Sequence, residues 1–221
     1  KLEDGALDGF WVIAYGSLIN RNSARRTLPN AVAHSPVWGI GGKRIFNYCM
    51  GEEYFQSPLH LQKAGLQRTV LTVKTDFHPR SVFNGLGLWV SASDFPAFRR
   101  RERNYNLVEI PFIPWDRKIY EGDTALVLDS QGAMGYGTEV GNPKLLPVPE
   151  YLEICLQGAF ASSKAFGEAF LNTTWLADSK NMSIQSVGLK RIQINNAGIQ
   201  FQVLKSLFKP GFCFGVSMGE D

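Results

Sequence analysis

The sequence of 221 residues contains few of the residues that build disulfide frameworks and metal centres. It has three cysteines, which is an odd number, and three histidines. The residues of both types are scattered along the chain. Neither set has the spacing of a zinc site or of a disulfide-stapled secreted domain. We therefore expect no metal site, and we expect a reducing compartment, the cytoplasm. The residues concerned are Cys49, Cys155, Cys213, His34, His60 and His78.

Long apolar runs and a large excess of one charge are also missing. No run approaches the roughly 20 apolar residues that a membrane helix requires, and no basic-then-apolar leader precedes Phe10. The net charge is +3, and the basic residues are dispersed except at residues 99–103. We therefore expect neither a nucleic-acid partner nor a membrane partner. Hydrophobic residues make up 44% and charged residues 19% of the chain, which is typical of a globular protein with one substantial core.

What the sequence does contain is a series of short apolar or alternating runs, which predict five or six strands. One or two helices are predicted between them, the clearest of them capped by Ser93. This order favours an α+β fold, a small mixed β-barrel with flanking helices, over a doubly wound sheet. The predicted strands are residues 10–15, 37–48, 67–76, 83–92, 105–113 and 123–129.

The spacing of the apolar residues changes after Gly141, from a strand-like to a helical pattern. Apolar residues at Leu152, Leu156 and Ala159 keep helical spacing, and residues 149–178 are predicted to form an amphipathic helix or helix pair packed on the sheet. Residues 195–198 separate two alternating runs and predict a hairpin. We therefore assign the barrel to residues 10–140, and a helical extension and tail of the same domain to residues 141–221.

The first predicted strand ends in the segment Tyr15-Gly16-Ser17-Leu18. Glycine lets the backbone turn sharply or approach a ligand closely, because it has no side chain. The amides of Gly16, Ser17 and Leu18 can then form an anion-binding concavity, suited to a carboxylate. The alternative is an ordinary turn between a strand and a loop.

A second segment, residues 98–110, places Glu102 in the last turn of a predicted helix and Tyr105 where the chain re-enters a strand. If Glu102 points inward, burial raises its pKa toward the range of a general base at neutral pH. The alternative is a solvated glutamate that offsets its arginine neighbours. Tyr105 either hydrogen-bonds to Glu102 or a substrate, or packs in the core.

Together the two segments resemble the gamma-glutamylcyclotransferase-like superfamily. The features in common are Tyr-Gly-Ser-Leu at the end of the first strand and Arg-Glu-x-x-Tyr about eighty residues later. The segments at residues 41–47, "GGKRIFN", and 83–102, "FNGLGLWVSASDFPAFRRRE", also resemble the family's second strand and its glutamate-bearing helix. The resemblance covers roughly residues 10–130.

The resemblance implies a small mixed barrel and an enzyme that cleaves γ-glutamyl amides by intramolecular cyclisation, releasing 5-oxoproline and a free amine or amino acid. It implies no metal and no cofactor. The substrate's own α-amine is the nucleophile, so no Ser-His or Cys-His pair is needed. On this chain the glutamyl group would be held by Tyr15, Gly16, Ser17 and Leu18, and the acid/base would be Glu102.

Two points stay open at this stage. Arg44 is a candidate partner for a substrate carboxylate, although an arginine in a strand is more often at the surface. The alternative interpretation of the chain's function is a non-catalytic module. Such a module would bind a small carboxylate or amine metabolite, or a partner protein through the helical extension. An enzyme needs Glu102 inward and desolvated, whereas a binding module tolerates it exposed. The leaving group and the oligomeric state are not predicted.

Overall fold

The computed structural model describes five ranges of the chain: residues 8–50, 67–117, 122–129, 146–176 and 183–184. The predicted hairpin at residues 195–198 and the predicted boundary between residues 140 and 141 lie outside these ranges. None of the helices in the described ranges has the length and the apolar character required to cross a bilayer.

The described residues form short strands and a smaller number of helices. The strands are β1 (Gly9–Ala14), β2 (Val32–Ile40), β3 (Gly42–Cys49), β4 (Gln67–Thr75), β5 (Val82–Ser91), β6 (Asn106–Pro114), β7 (Thr124–Asp129), β8 (Leu146–Pro147) and β9 (Thr174–Leu176). The helices are α1 (Arg21–Arg25), α2 (Phe95–Arg101), α3 (Pro149–Ser162) and α4 (Lys164–Asn172), and a 3₁₀ turn covers Ser17–Ile19.

Five of the strands close into a small barrel. Neighbours pair antiparallel in the order β1-β5-β2-β6-β7, and β7 returns to β1 through a parallel pairing of Leu126 with Val12. The predicted α+β fold with a small mixed barrel is therefore confirmed. The strand β1 pairs with both β5 and β7, and its residues Val12, Ile13 and Ala14 are buried.

The sheet continues beyond the barrel because β7 has a second parallel neighbour, β4. From β4 it runs through β3 to β9, and the short β8 pairs with β4. The carboxylate of Asp129, at the end of β7, is buried and accepts hydrogen bonds from the amide and the hydroxyl of Thr75 in β4. These bonds hold the two strands side by side, and each strand contributes a leucine to the pocket described below.

A glycine junction divides residues 37–48, which are predicted above as one β-rich stretch, between β2 and β3. Gly41 has a φ of +93°, in the left-handed region that favours glycine. A Cβ on Gly41 would also lie 3.2 Å from the Cα of Phe77. The junction ends β2 and lets β3 leave the barrel to pair with β4.

The predicted helical extension is a pair of helices that packs on the barrel. Ser163 is extended, which ends α3, and its side chain caps α4 by accepting a hydrogen bond of 3.0 Å from the Phe166 amide. Leu152, Leu156 and Ala159 of α3 are buried in the same core as the barrel strands. Gly158 lies so close to the turn after β1 that a Cβ would be 2.6 Å from the Asn20 amide nitrogen. The helix therefore rests directly on the backbone of that turn.

Candidate active site

The end of β1 is shaped by a 3₁₀ turn. The Ile19 amide donates to the Gly16 carbonyl at 3.0 Å, and the Asn20 amide donates to the Ser17 carbonyl at 3.2 Å. Asn20 then caps α1 through its side-chain oxygen. The first amides of a helical turn have no partner within the turn. Among the described residues, none accepts a hydrogen bond from the amides of residues 16–18.

The glutamate reaches the site from the end of α2. The N-cap residue of that helix is Asp94, not the predicted Ser93, and Asp94 makes no side-chain cap hydrogen bond. The ring of Phe98 is fully buried and anchors the helix, and the Glu102 amide donates to the Phe98 carbonyl at 2.9 Å. The Tyr105 amide in turn donates to the Glu102 carbonyl at 3.1 Å. This turn directs both side chains to the same side of the chain.

One pocket brings most of the predicted site residues together. Glu102 and Tyr105 face the segment that ends β1, although more than eighty residues of chain separate Glu102 from that segment. Arg44, in contrast, does not line the pocket. The lining residues are Ala14, Tyr15, Gly16, Ser17, Leu18, Leu71, Glu102, Tyr105, Leu128 and Tyr151.

Burial dominates the electrostatics of Glu102. Its side chain is only 12% exposed. Desolvation raises the pKa of the carboxyl above its ordinary value, while the charge of Arg101 and a hydrogen bond from it act in the opposite direction. Glu102 is therefore inward and desolvated, which is the arrangement that distinguishes an acid/base from a solvated surface charge.

Three tyrosines surround the glutamate. Burial raises the pKa of Tyr15, Tyr105 and Tyr151, so each phenol stays neutral and can donate a hydrogen bond at physiological pH. The Tyr15 hydroxyl is already engaged, donating to the Leu128 carbonyl at 2.6 Å, and so it fixes β1 to β7. Tyr105 packs against Tyr48, with ring centroids 5.3 Å apart.

Tyr151 is a pocket residue that was not predicted from the sequence. It lies on α3, one residue before the buried position Leu152, and its hydroxyl stands directly over Gly16. A signal was present in Gly158, because a glycine inside an amphipathic helix indicates close packing against another backbone. That signal shows that the helix approaches something closely, but not that the partner is the turn after β1.

Arg44 has a structural position and does not serve as the carboxylate partner considered from the sequence. It is fully buried, and its guanidinium donates to the Thr174 hydroxyl at 2.7 Å, the Thr173 hydroxyl at 2.9 Å and the Phe170 carbonyl at 3.0 Å. It also donates to the side chain and the carbonyl of Asn84. Burial lowers the pKa of Arg44 to about 9, so it remains charged at neutral pH. The arginine joins β3 and β5 to the helix pair.

Among the described residues, no group of three or more His, Cys, Asp or Glu side chains is placed to hold a metal ion. The polar groups that converge on the pocket are one carboxylate, phenols and main-chain amides. Such a set suits proton transfer and the binding of a small polar ligand.

Comparison with known proteins agrees with this architecture. No protein-family model and no curated protein matches the chain. A solved structure of a gamma-glutamyl cyclotransferase matches with a TM-score of 0.54 and 15% identity, over 92% of this chain and 100% of that one. An uncharacterized protein from Homo sapiens matches with a TM-score of 0.53 and 14% identity, over 91% and 99% of the two chains. The chain thus has the gamma-glutamylcyclotransferase-like fold that the sequence resemblance implied.

Proposed function

We propose that this protein is an enzyme that cleaves a γ-glutamyl amide by intramolecular cyclisation and releases 5-oxoproline together with a free amine or amino acid. The observation that carries the proposal is the shared pocket. A desolvated glutamate and a turn with available main-chain donors face the same cavity, although they come from distant parts of the chain. A surface charge and an ordinary turn would have no reason to converge in this way.

The substrate supplies the nucleophile, and Glu102 supplies the base. The carboxylate of Glu102 takes a proton from the α-ammonium group, and the freed amine attacks the γ-carbonyl carbon. Closing a five-membered ring is intramolecular, so holding the amine against the carbonyl removes much of the entropic barrier. The new bond joins the amine nitrogen to the carbonyl carbon of the γ-glutamyl amide.

The departing amine requires a proton, and Glu102 is placed to return it. When the amide carbon–nitrogen bond breaks, the protonated carboxyl gives its proton to the leaving nitrogen and is ionised again. The second proton that the attacking nitrogen loses goes to the released amine, which leaves as an ammonium ion. A carboxyl with a pKa raised by burial suits both halves of this cycle, because it holds a proton more readily than an ordinary carboxylate does and can still release it.

The main-chain amides of Gly16, Ser17 and Leu18 bind the anionic part of the glutamyl group and stabilise negative charge on the carbonyl oxygen. The hydroxyls of Tyr105 and Tyr151 are neutral donors in the same pocket. They orient the substrate or the glutamate by hydrogen bonds that need no change of charge.

The test is to incubate the purified protein with γ-glutamyl amino acids, γ-glutamyl amines and glutathione, and to measure 5-oxoproline. We expect product from at least one class, and we expect Glu102→Gln to reduce kcat by about 100-fold or more, since it removes the acid/base. Ligand binding, measured by calorimetry, should be largely retained.

The matched control is Glu168→Gln, which makes the same change in a surface glutamate that pairs with Lys164 at 3.8 Å. It should leave turnover unchanged. Equal activity of Glu102→Gln and wild type on an active substrate would contradict the mechanism. Binding of γ-glutamyl compounds without any product would instead identify a non-catalytic binding module.

A further inference from the structure

Arg101, the residue before the glutamate, has every guanidinium nitrogen engaged at the edge of the pocket. Its Nε lies 3.0 Å from the Oε1 of Glu102. Its Nη2 donates to the hydroxyls of Ser17 at 3.1 Å and Ser23 at 3.4 Å. Its Nη1 donates to the Ser23 carbonyl at 3.3 Å and to the Thr27 hydroxyl. One planar group therefore connects α2, α1 and the turn after β1.

This arrangement is unusual for a side chain that is 28% exposed. Exposed arginines are generally mobile, and their ion pairs contribute little. Arg100 and Arg103 illustrate the ordinary case, because both are exposed and neither forms a hydrogen bond or an ion pair with the described residues. Arg101 differs because the five N–H donors of its planar guanidinium group, here called the fork, match acceptors on three elements. These contacts hold the fork in one position.

Within the described part of the chain, the other titratable groups that line the pocket with Glu102 are phenols. Tyr15 after β1, Tyr151 from α3 and Tyr105 before β6 face Glu102, and burial keeps all three phenols protonated. Among the described residues, Arg101 is the cation that acts on Glu102, and it opposes the effect of burial on the carboxyl.

We propose that Arg101 is a positioning residue for the reaction proposed above: it fixes the Glu102 carboxylate against the turn that carries the main-chain donors and keeps that carboxylate ionised as the base. The inference rests on the proposed function for its chemical meaning. Its two physical parts, the orientation through the fork and the charge, can be separated by substitution.

The first experiment needs no substrate. The Glu102 carboxyl is titrated by ¹³C NMR in protein labelled at its glutamate side chains, and its signal is assigned by its loss in Glu102→Gln. We expect Arg101→Gln to move the Glu102 midpoint to higher pH, because the cation that opposes burial is gone. Arg103→Gln removes the same charge on the other side of Glu102 without removing a contact, and should shift the midpoint much less. An unchanged midpoint in Arg101→Gln, or equal shifts in both variants, overturns the inference.

The second experiment measures kcat/KM against pH on an active substrate. Glu102 must be ionised to accept the ammonium proton, so a higher pKa leaves it protonated over a wider acidic range. The acidic limb of the profile should therefore move to higher pH in Arg101→Gln and stay in place in Arg103→Gln. Arg101→Lys retains the charge and loses the fork, so it should keep the limb in place and lower kcat by about tenfold or more, with a smaller change in KM.

The outcomes separate the two proposals. A moved NMR midpoint without 5-oxoproline from any substrate supports the role of Arg101 at the site and contradicts the proposed reaction. Turnover with an unmoved midpoint contradicts the role of Arg101 alone. Should Arg101→Gln fail to fold, Arg101→Lys decides the question, because a wild-type kcat in that variant overturns the inference.

Discussion

At the scale of single residues, Gly16 matters for the space that it leaves. Its φ is −117°, so the left-handed region that favours glycine is not involved. A Cβ on Gly16 would collide with the hydroxyl oxygen of Tyr151, whereas the ring carbon Cζ of Tyr151 lies 3.6 Å from the same position. The tyrosine hydroxyl therefore occupies the volume that the missing side chain frees.

This packing predicts a conditional effect of Gly16→Ala. In the wild-type background the substitution should lower the free energy of unfolding by about 1–3 kcal/mol, because the side chain of Tyr151 must move. In a Tyr151→Phe background the cost should fall well below about 1 kcal/mol, since Cζ then makes an ordinary contact. Urea unfolding of the four proteins measures both values. Equal costs in the two backgrounds would show that Tyr151 is not the obstacle.

The residues of the pocket could be predicted only in part from the sequence. Tyr15 to Leu18, Glu102 and Tyr105 belong to short continuous motifs, so the resemblance identified them. Tyr151 belongs to no such motif, and its place depends on how α3 packs on the turn after β1. Arg101 was visible as part of a basic cluster, but its partners Ser17, Ser23 and Thr27 become neighbours only when α1 and α2 meet.

At the scale of elements, Arg44 holds the helix pair to the sheet. On β3 the side chains alternate, with Lys43 exposed and Arg44 buried. The sequence predicts this strand but cannot show that the inward arginine meets the end of α4 and the start of β9, about 130 residues later. The acceptors of its hydrogen bonds are main-chain and hydroxyl groups, which have no recognisable pattern in sequence.

Replacing Arg44 by methionine should therefore destabilise the protein, by about 3 kcal/mol, because several buried acceptors lose their donor. Arg44→Lys should recover only part of this, since a single ammonium group cannot reproduce the fork. Lys43→Met is the control on the same strand. Lys43 is 56% exposed and lies 3.9 Å from Asp76, so its loss should cost less than about 0.5 kcal/mol. Similar shifts of the urea midpoint in Arg44→Met and Lys43→Met would contradict the structural role of Arg44.

At the scale of the whole molecule, the helical extension and the barrel share one core. Leu152, Leu156 and Phe170 of α3 and α4 are buried together with Val12 and Leu88 of the barrel. The helices also supply Tyr151 to the pocket and support the turn after β1. The sequence predicts an amphipathic segment that packs on the sheet, but periodicity alone does not show whether the two parts unfold together.

We predict that the helical extension and the barrel unfold together. Because the contacts between α3, α4 and the strands are buried and continuous, the most protected amides of α3 and of β5 should exchange with deuterium through the same global unfolding, with equal free energies of opening. Hydrogen exchange measured by mass spectrometry at increasing urea tests this, because amides that need global unfolding lose protection with the same urea dependence. Exchange of α3 at a distinctly lower free energy than β5 would instead identify the extension as a separate unit, and the pocket would then lose Tyr151 while the barrel stayed folded.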